Sequence, residues 1–223
     1  MLYKEAISSR LLAVLQNLMV VNELKAFRLV GGTALALQLG HRESVDIDLF
    51  SYKDFAKQKL GKRIAEKFHN MDLLREGEKS LSFHINNSKV DLWALDVPFI
   101  RPEITEENIR MADKEDIAAM KLNAITDRAT KKDYYDIAEL LNNFTFKELL
   151  GFYAEKYPHK TTRNVIDVIK EIPFRNRELE QSPPPKTFRN ITWNDVKKKV
   201  FTAFDTFRND ELNEKIEEMK KRK

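Results

Sequence analysis

The chain has 223 residues, 42% of them hydrophobic and 33% charged, with a formal net charge of +4. That is enough apolar content for a core and unlike a disordered chain. Cysteine is absent, which excludes disulfides, thiolate metal sites and cysteine nucleophiles together. No apolar run approaches a membrane span, and Met1 to Arg10 lacks an apolar core followed by a cleavage site. A cytoplasmic protein with no membrane partner is expected. The mild basicity, a sequence pI of about 9.0, permits a nucleic-acid partner without demanding one.

Tyr3 to Lys25 reads as an amphipathic helix, with Ile7, Leu11, Leu12, Leu15, Leu18 and Met19 at helical spacing. The next stretch, GGTALALQLGHRESVDIDLF from Gly31 to Phe50, organises the rest. An apolar run, Phe27 to Val30, stops at Gly31-Gly32. A helical stretch follows over Thr33 to Leu39, then a polar loop over Gly40 to Ser44, then an apolar run over Val45 to Phe50. The pattern is strand, glycine turn, helix, loop, strand. Asp46 and Asp48 are two apart, so a strand sends both carboxylates to one face, with Val45, Ile47 and Leu49 packing behind. Two carboxylates that close repel unless a cation lies between them, and all-oxygen ligation suits Mg²⁺ or Mn²⁺. The glycine pair bares backbone N–H groups at a helix start, a ready phosphate site. Taken singly, a D-x-D is more often a solvated strand face, and a Gly-Gly is more often just a turn.

Together these residues resemble the signature of the nucleotidyltransferase superfamily: a Gly-Gly or Gly-Ser turn, a short helix, then an Asp-x-Asp strand. The fuller string resembles the AbiEii/AbiGii branch, the toxins of type IV toxin–antitoxin systems, in which Gly-Gly-Thr takes the place of Gly-Ser. The resemblance implies an α+β fold, a nucleotidyltransferase-type mixed sheet flanked by helices with a helical C-terminal half. It implies transfer of a nucleoside monophosphate from a nucleoside triphosphate to an acceptor hydroxyl, with Mg²⁺ or Mn²⁺ as cofactor. It also implies an RNA acceptor such as tRNA, and an antitoxin encoded nearby. Gly31, Gly32 and Thr33 would hold the β- and γ-phosphates, with Arg42 and Ser44 of the loop among the nucleotide contacts.

Tyr52 to Asn70 reads as a helix whose basic residues form a solvated face. Leu81 to Ile85 and Lys89 to Leu95 alternate as strands about the turn Asn86-Asn87-Ser88. Asp91 lies in the second of these, in an otherwise apolar run. Three carboxylates on two neighbouring strands can hold two metal ions, and Asp91 matches the third acid of the resembled family by order and context. Asp96, before Pro98, reads as a turn residue, and His84 as a packing or hydrogen-bonding residue of the hairpin.

Pro98 to Asn108 reads as a linker, with a helical turn over Glu106 to Arg110. A helix is expected from Asp113 to about Arg128 and another from Lys131 to Leu141. The segment Asp116 to Leu141 is the second specific point of resemblance. The AbiEii-type branch has a lysine-bearing helix, an arginine and a Lys-Asp-x-x-Asp helix start, here Lys121, Arg128, Lys132, Asp133 and Asp136. That resemblance implies that Lys121 serves the triphosphate and that Asp133 anchors a basic group or takes a proton. Arg128 serves phosphate or bridges Asp133 or Asp136. Without the resemblance, lysines and arginines on helices mostly face solvent.

Helices are expected over Thr145 to Lys156, Thr161 to Lys170 and Thr192 to Arg208. A loop containing Pro173 and Pro183 to Pro185 is expected over Glu171 to Asn190, and a frayed charged tail over Asn213 to Lys223. The division expected is a nucleotidyltransferase core over 1–100 and a helical domain over 101–223. Two other functions remain open on the residues alone: a small-molecule nucleotidyltransferase of the antibiotic-modifying kind, and a non-catalytic nucleotide-binding module. The presence of all three acids argues against the second.

Overall fold

The fold is described from a computed structural model covering residues 1–128, 130–172 and 177–221. Pro173 of the expected loop, and Arg222 and Lys223 of the expected tail, lie outside the described residues. The chain divides into two compact units. One comprises Met1–Ile117 with Lys186–Arg189, the other Ala118–Pro185 with Asn190–Lys223.

The first unit is built on a mixed seven-stranded sheet among the described residues, in the order β3-β4-β5-β2-β1-β7-β6. The strands are β1 (Arg28–Val30), β2 (Asp46–Ser51), β3 (Met71–Glu76), β4 (Ser80–Ile85), β5 (Ser88–Ala94), β6 (Ile104–Glu106) and β7 (Ile109–Met111). Its helices are α1 (Ser9–Met19), α2 (Gly31–Leu39) and α3 (Lys57–Lys67). The central pair, β2 and β5, is parallel, while β1 and β4 flank it antiparallel. Alternation decides the faces. Ile47 and Leu49 of β2, Val90 and Leu92 of β5, and Leu81, Phe83 and Ile85 of β4 are all buried. The side chains between them point the other way.

Several expected elements take a different form. The helix expected over Tyr3 to Lys25 is a short 3₁₀ turn, Lys4–Ala6, then α1, then a second turn, Asn22–Leu24. The Ser8 hydroxyl accepts from Leu11 N–H at 3.1 Å and so restarts the helix. Val45, expected to pack behind the acids, is 61% exposed because it precedes the strand. β3 was not expected at all: it is an outer strand with a mostly exposed burial pattern and a register shift, so no alternation marks it. The helical turn expected over Glu106 to Arg110 is a hairpin instead. Glu107 and Asn108 both take positive φ, the requirement of a two-residue turn with the right twist. β6 and β7 join the sheet beside β1, and the first compact unit runs to Ile117. The short segment Lys186–Arg189 also belongs to this unit. Glu43 N–H donates to Lys186 carbonyl at 2.8 Å, and Phe188 N–H donates to His41 carbonyl at 3.1 Å.

The second unit is helical and takes in most of α4 (Lys114–Asp127). It continues with α5 (Lys131–Leu140), α6 (Phe146–Lys156), α7 (Thr162–Glu171), α8 (Arg177–Gln181) and α9 (Trp193–Lys221). α6 begins at a reciprocal capping box between Thr145 and Glu148. α9 carries Val196, Val200 and Phe204 into the core. There Phe204 meets Phe146 edge to face at 5.7 Å. α9 runs on through the segment expected to fray, as far as Lys221. The expected proline loop holds α8, and Lys131 Nζ donates to the carbonyls of Glu180 and Ser182 beside it. Among the described residues no helix is long and apolar enough to cross a membrane.

Candidate active site

The glycine turn is where β1 becomes α2. Gly31 has φ +69°, a conformation that L side chains rarely adopt. A Cβ there would also lie 2.7 Å from Asp48 Oδ2. At Gly32 a Cβ would fall 2.2 Å from the Arg42 guanidinium. Gly31 is required by its backbone conformation, and at both positions a side chain would make the neighbouring group shift, a carboxylate at Gly31 and a guanidinium at Gly32. Arg42 is buried, donates to the carbonyl of its neighbour Glu43 at 2.9 Å, and so brings positive charge to the helix start.

Thr33 faces inward. It is 1% exposed, and its hydroxyl is bonded to Ser44 Oγ at 2.8 Å and to the Asp46 carbonyl. Thr33 and Ser44 thus lock the first turn of α2 to the start of the acid strand. In this arrangement Thr33 is tied to Ser44 and to the backbone of Asp46.

The acids share one face. In the parallel ladder Asp48 is the register partner of Asp91, and Asp46 is the partner of Lys89. Partners on adjacent strands project to the same side of the pleat. Asp46, Asp48, Lys89 and Asp91 therefore form a two-by-two array on the side away from the core. Phe50 and Trp93 extend it, partners in register with ring centroids 6.4 Å apart. Trp93 is 45% exposed. Lys89 has no special signal in the sequence, yet its Nζ donates to Asp91 Oδ2 at 2.5 Å. This hydrogen bond raises the Lys89 pKa above its ordinary value; burial opposes the shift, and the charges of Asp91, Asp46 and Asp48 reinforce it. The pairing of Lys89 with Asp46 was legible only once the parallel register was known.

Among the described residues no three acidic or imidazole groups converge as a finished protein-only metal cage. The carboxylates are instead arrayed side by side along a face. That suits Mg²⁺, which is usually held by one or two carboxylates together with substrate phosphates. The donor set, all carboxylate oxygen, fits the expected ion in that open form.

Asp96, read as a turn residue, pairs with Lys79. The motif residues of the second unit form their own cluster. Lys121 Nζ lies 2.8 Å from Asp133 Oδ1 and 2.7 Å from Asp136 Oδ2. All three are buried, Lys121 at 7% exposure and Asp136 at 0%. Asp133 also accepts from Thr130 at 2.7 Å, and Arg128 approaches it at 3.8 Å from an exposed position. So the structure brings together Lys121, Asp133, Asp136 and Arg128, and separately Gly31, Gly32, Arg42, Asp46, Asp48 and Asp91.

A mixed sheet with paired acids beside a glycine turn, followed by a helical half, defines a nucleotidyltransferase-type fold. The sequence pattern of the family described as nucleotidyl transferase AbiEii toxin, type IV TA system, matches residues 13–217, and the chain belongs to that family. The structure is similar to JHP933 from Helicobacter pylori, with a TM-score of 0.54 at 17% identity, over 96% of this chain and 99% of that one. It is also similar to MenT4, the nucleotidyltransferase toxin Rv2826c from Mycobacterium tuberculosis H37Rv. There the TM-score is 0.52 at 14% identity, over 87% of this chain and 82% of that one. In sequence, the uncharacterized protein aq_aa25 of Aquifex aeolicus (strain VF5) is 34% identical over 137 residues, spanning 59% of this chain and 66% of that protein.

Proposed function

We propose that this protein is a metal-dependent nucleotidyltransferase that moves a nucleoside monophosphate from a nucleoside triphosphate to an acceptor hydroxyl. The acceptor class we propose is RNA, such as a tRNA end, and the biological role is that of a growth-inhibiting toxin held in check by an antitoxin encoded nearby. The observation that carries the chemistry is the in-register pair Asp48 and Asp91, with Asp46 on the same open face, beside the Gly31-Gly32 turn.

Asp46 and Asp48 would hold Mg²⁺ or Mn²⁺, and Asp91 would complete the position on the acceptor side. When bound, the ions neutralise phosphate charge and favour the ionised form of the attacking hydroxyl. The chain's own contribution is position and charge. The Gly31 and Gly32 N–H groups donate to the β- and γ-phosphates at the start of α2. Arg42 adds a fixed guanidinium beside them. Thr33 and Ser44 hold the acid strand against the turn, so the carboxylates and the phosphate donors keep one spacing. Lys121 carries the family's motif charge for phosphate, Asp133 and Asp136 hold its ammonium, and Arg128 is the exposed cation of that group.

Incubation with each labelled nucleoside triphosphate, Mg²⁺ and total cell RNA, with small hydroxyl acceptors in parallel, tests this reading. Label transferred to RNA supports it. Transfer to small acceptors alone would replace the RNA acceptor, and no transfer to either would count against the enzyme.

A further inference from the structure

Lys89 stands in the acid array without a role in the chemistry described above. Asp46, Asp48 and Asp91 share a face with the Lys89 ammonium. The ammonium is not shared evenly: its hydrogen bond goes to Asp91 at 2.5 Å, while Asp46 and Asp48 act on it through space. The two partners also differ in exposure. The Asp91 side chain is 14% exposed and the Lys89 side chain 47%. Lys89 therefore reaches the carboxylate from the solvent side, and its flexible stem lets it withdraw without disturbing the strand.

We propose that Lys89 is a tethered cation that occupies Asp91 in the metal-free protein and competes with a divalent ion for that carboxylate. The proposal rests on the metal-site reading given above. It follows from that ion pair. The Lys89 ammonium satisfies Asp91 when no metal is bound, and a doubly charged ion taking the same carboxylate has to displace it. Asp91 is the acid on the acceptor side, so the competition acts at that position. Lys89 is a positioning residue in this scheme.

The test is calorimetric titration with Mn²⁺ alone, on wild type, Lys89→Met, Asp91→Asn and the double variant. Lys89→Met should bind Mn²⁺ about three- to tenfold more tightly than wild type, the scale of a partly exposed ion pair lost. In the Asp91→Asn background the same substitution should change affinity less than about twofold, because the competition acts through Asp91. Lys89→Arg should bind as wild type does. Thermal melting without metal shows that each variant folds, and Lys89→Gln replaces Lys89→Met if the latter does not. Equal tightening in both backgrounds, or none, overturns the proposal and leaves the metal site standing. Absence of Mn²⁺ binding in both wild type and Lys89→Met overturns the proposal, and the metal-site reading falls with it if Mn²⁺ together with a nucleoside triphosphate also fails to bind.

Discussion

The two acidic clusters of this protein use the same groups to opposite ends. Lys121 sits between Asp133 and Asp136, all buried, each carboxylate within 2.8 Å of the ammonium. Lys89 sits among Asp46, Asp48 and Asp91 on an open face, bonded to one of the three. In the helical cluster a single buried ammonium answers two buried anions, and removing it takes that charge from both. In the sheet cluster Lys89 and its partner Asp91 both keep part of their side chains exposed. A partly exposed pair can exchange its partner for a ligand, whereas a buried pair cannot lose one without cost. A motif residue can belong to either kind of pair.

That contrast is broken most sharply by Asp46→Asn or Asp48→Asn. Either substitution is expected to reduce nucleotide transfer by about a thousandfold or more, several kcal/mol of lost charge stabilisation. The melting temperature should hardly move, because losing one of two repelling carboxylates does not harm the metal-free protein. Normal activity in either variant would remove the sheet cluster from the chemistry.

The opposite pattern is expected for Lys121→Met. Two buried carboxylates lose their cation, at a cost of about 3–5 kcal/mol in urea or guanidinium unfolding. Lys59→Met, on an exposed lysine facing Glu23 at 3.9 Å, should cost less than about 0.5 kcal/mol. Equal stability of the two variants would show that the buried triad holds nothing together. Any loss of transfer by Lys121→Met is best read at a temperature where the variant remains folded.

Ligand binding sharpens the comparison from the other side. Mg²⁺ with the preferred nucleoside triphosphate should stabilise the protein by about 2.7 kcal/mol at a hundredfold excess over the dissociation constant. The shift should vanish in Asp48→Asn, and its survival there would place the nucleotide elsewhere. The smallest effect concerns the turn. Gly31→Ala should lose about 1–2 kcal/mol of stability, because alanine tolerates φ +69° poorly. It should also weaken nucleotide binding, since the new methyl group would push on Asp48. Calorimetry and melting curves on the one variant read both losses.

Much of the sheet cluster was legible in the sequence because it lies in one short run. Gly31, Gly32, Asp46 and Asp48 are spaced by a turn, a short helix and a loop, and period-two alternation fixed the face shared by the two aspartates. Asp91 was legible from its apolar run together with its place in the order of the resembled family. Lys89 and the inward turn of Thr33 were not. The role of Lys89 depends on a parallel register between distant strands, which no local period encodes. Thr33 required knowing that the Asp46 carbonyl lies over the helix start. β6 and β7 were missed because three-residue strands show too little alternation, and β3 because an exposed outer strand shows none. The Lys121 cluster was found through its motif, but a lysine in sequence gives no sign of being buried between two acids.

The parallel pairing of β2 with β5 also has a consequence in time. Asp48 and Asp91 are partners in space and about 40 residues apart along the chain. The connection between them runs through α3, β3 and β4, so closing it precedes any arrangement of the three acids. β1, in turn, finds its other neighbour only when β7 arrives. Contacts of such separation form slowly. A ribosome-bound chain short of β5 therefore has the glycine turn and two of the acids but no assembled face. The acid face assembles only once β5 has been made, and a fragment ending before Ser88 is expected to show no nucleotide transfer.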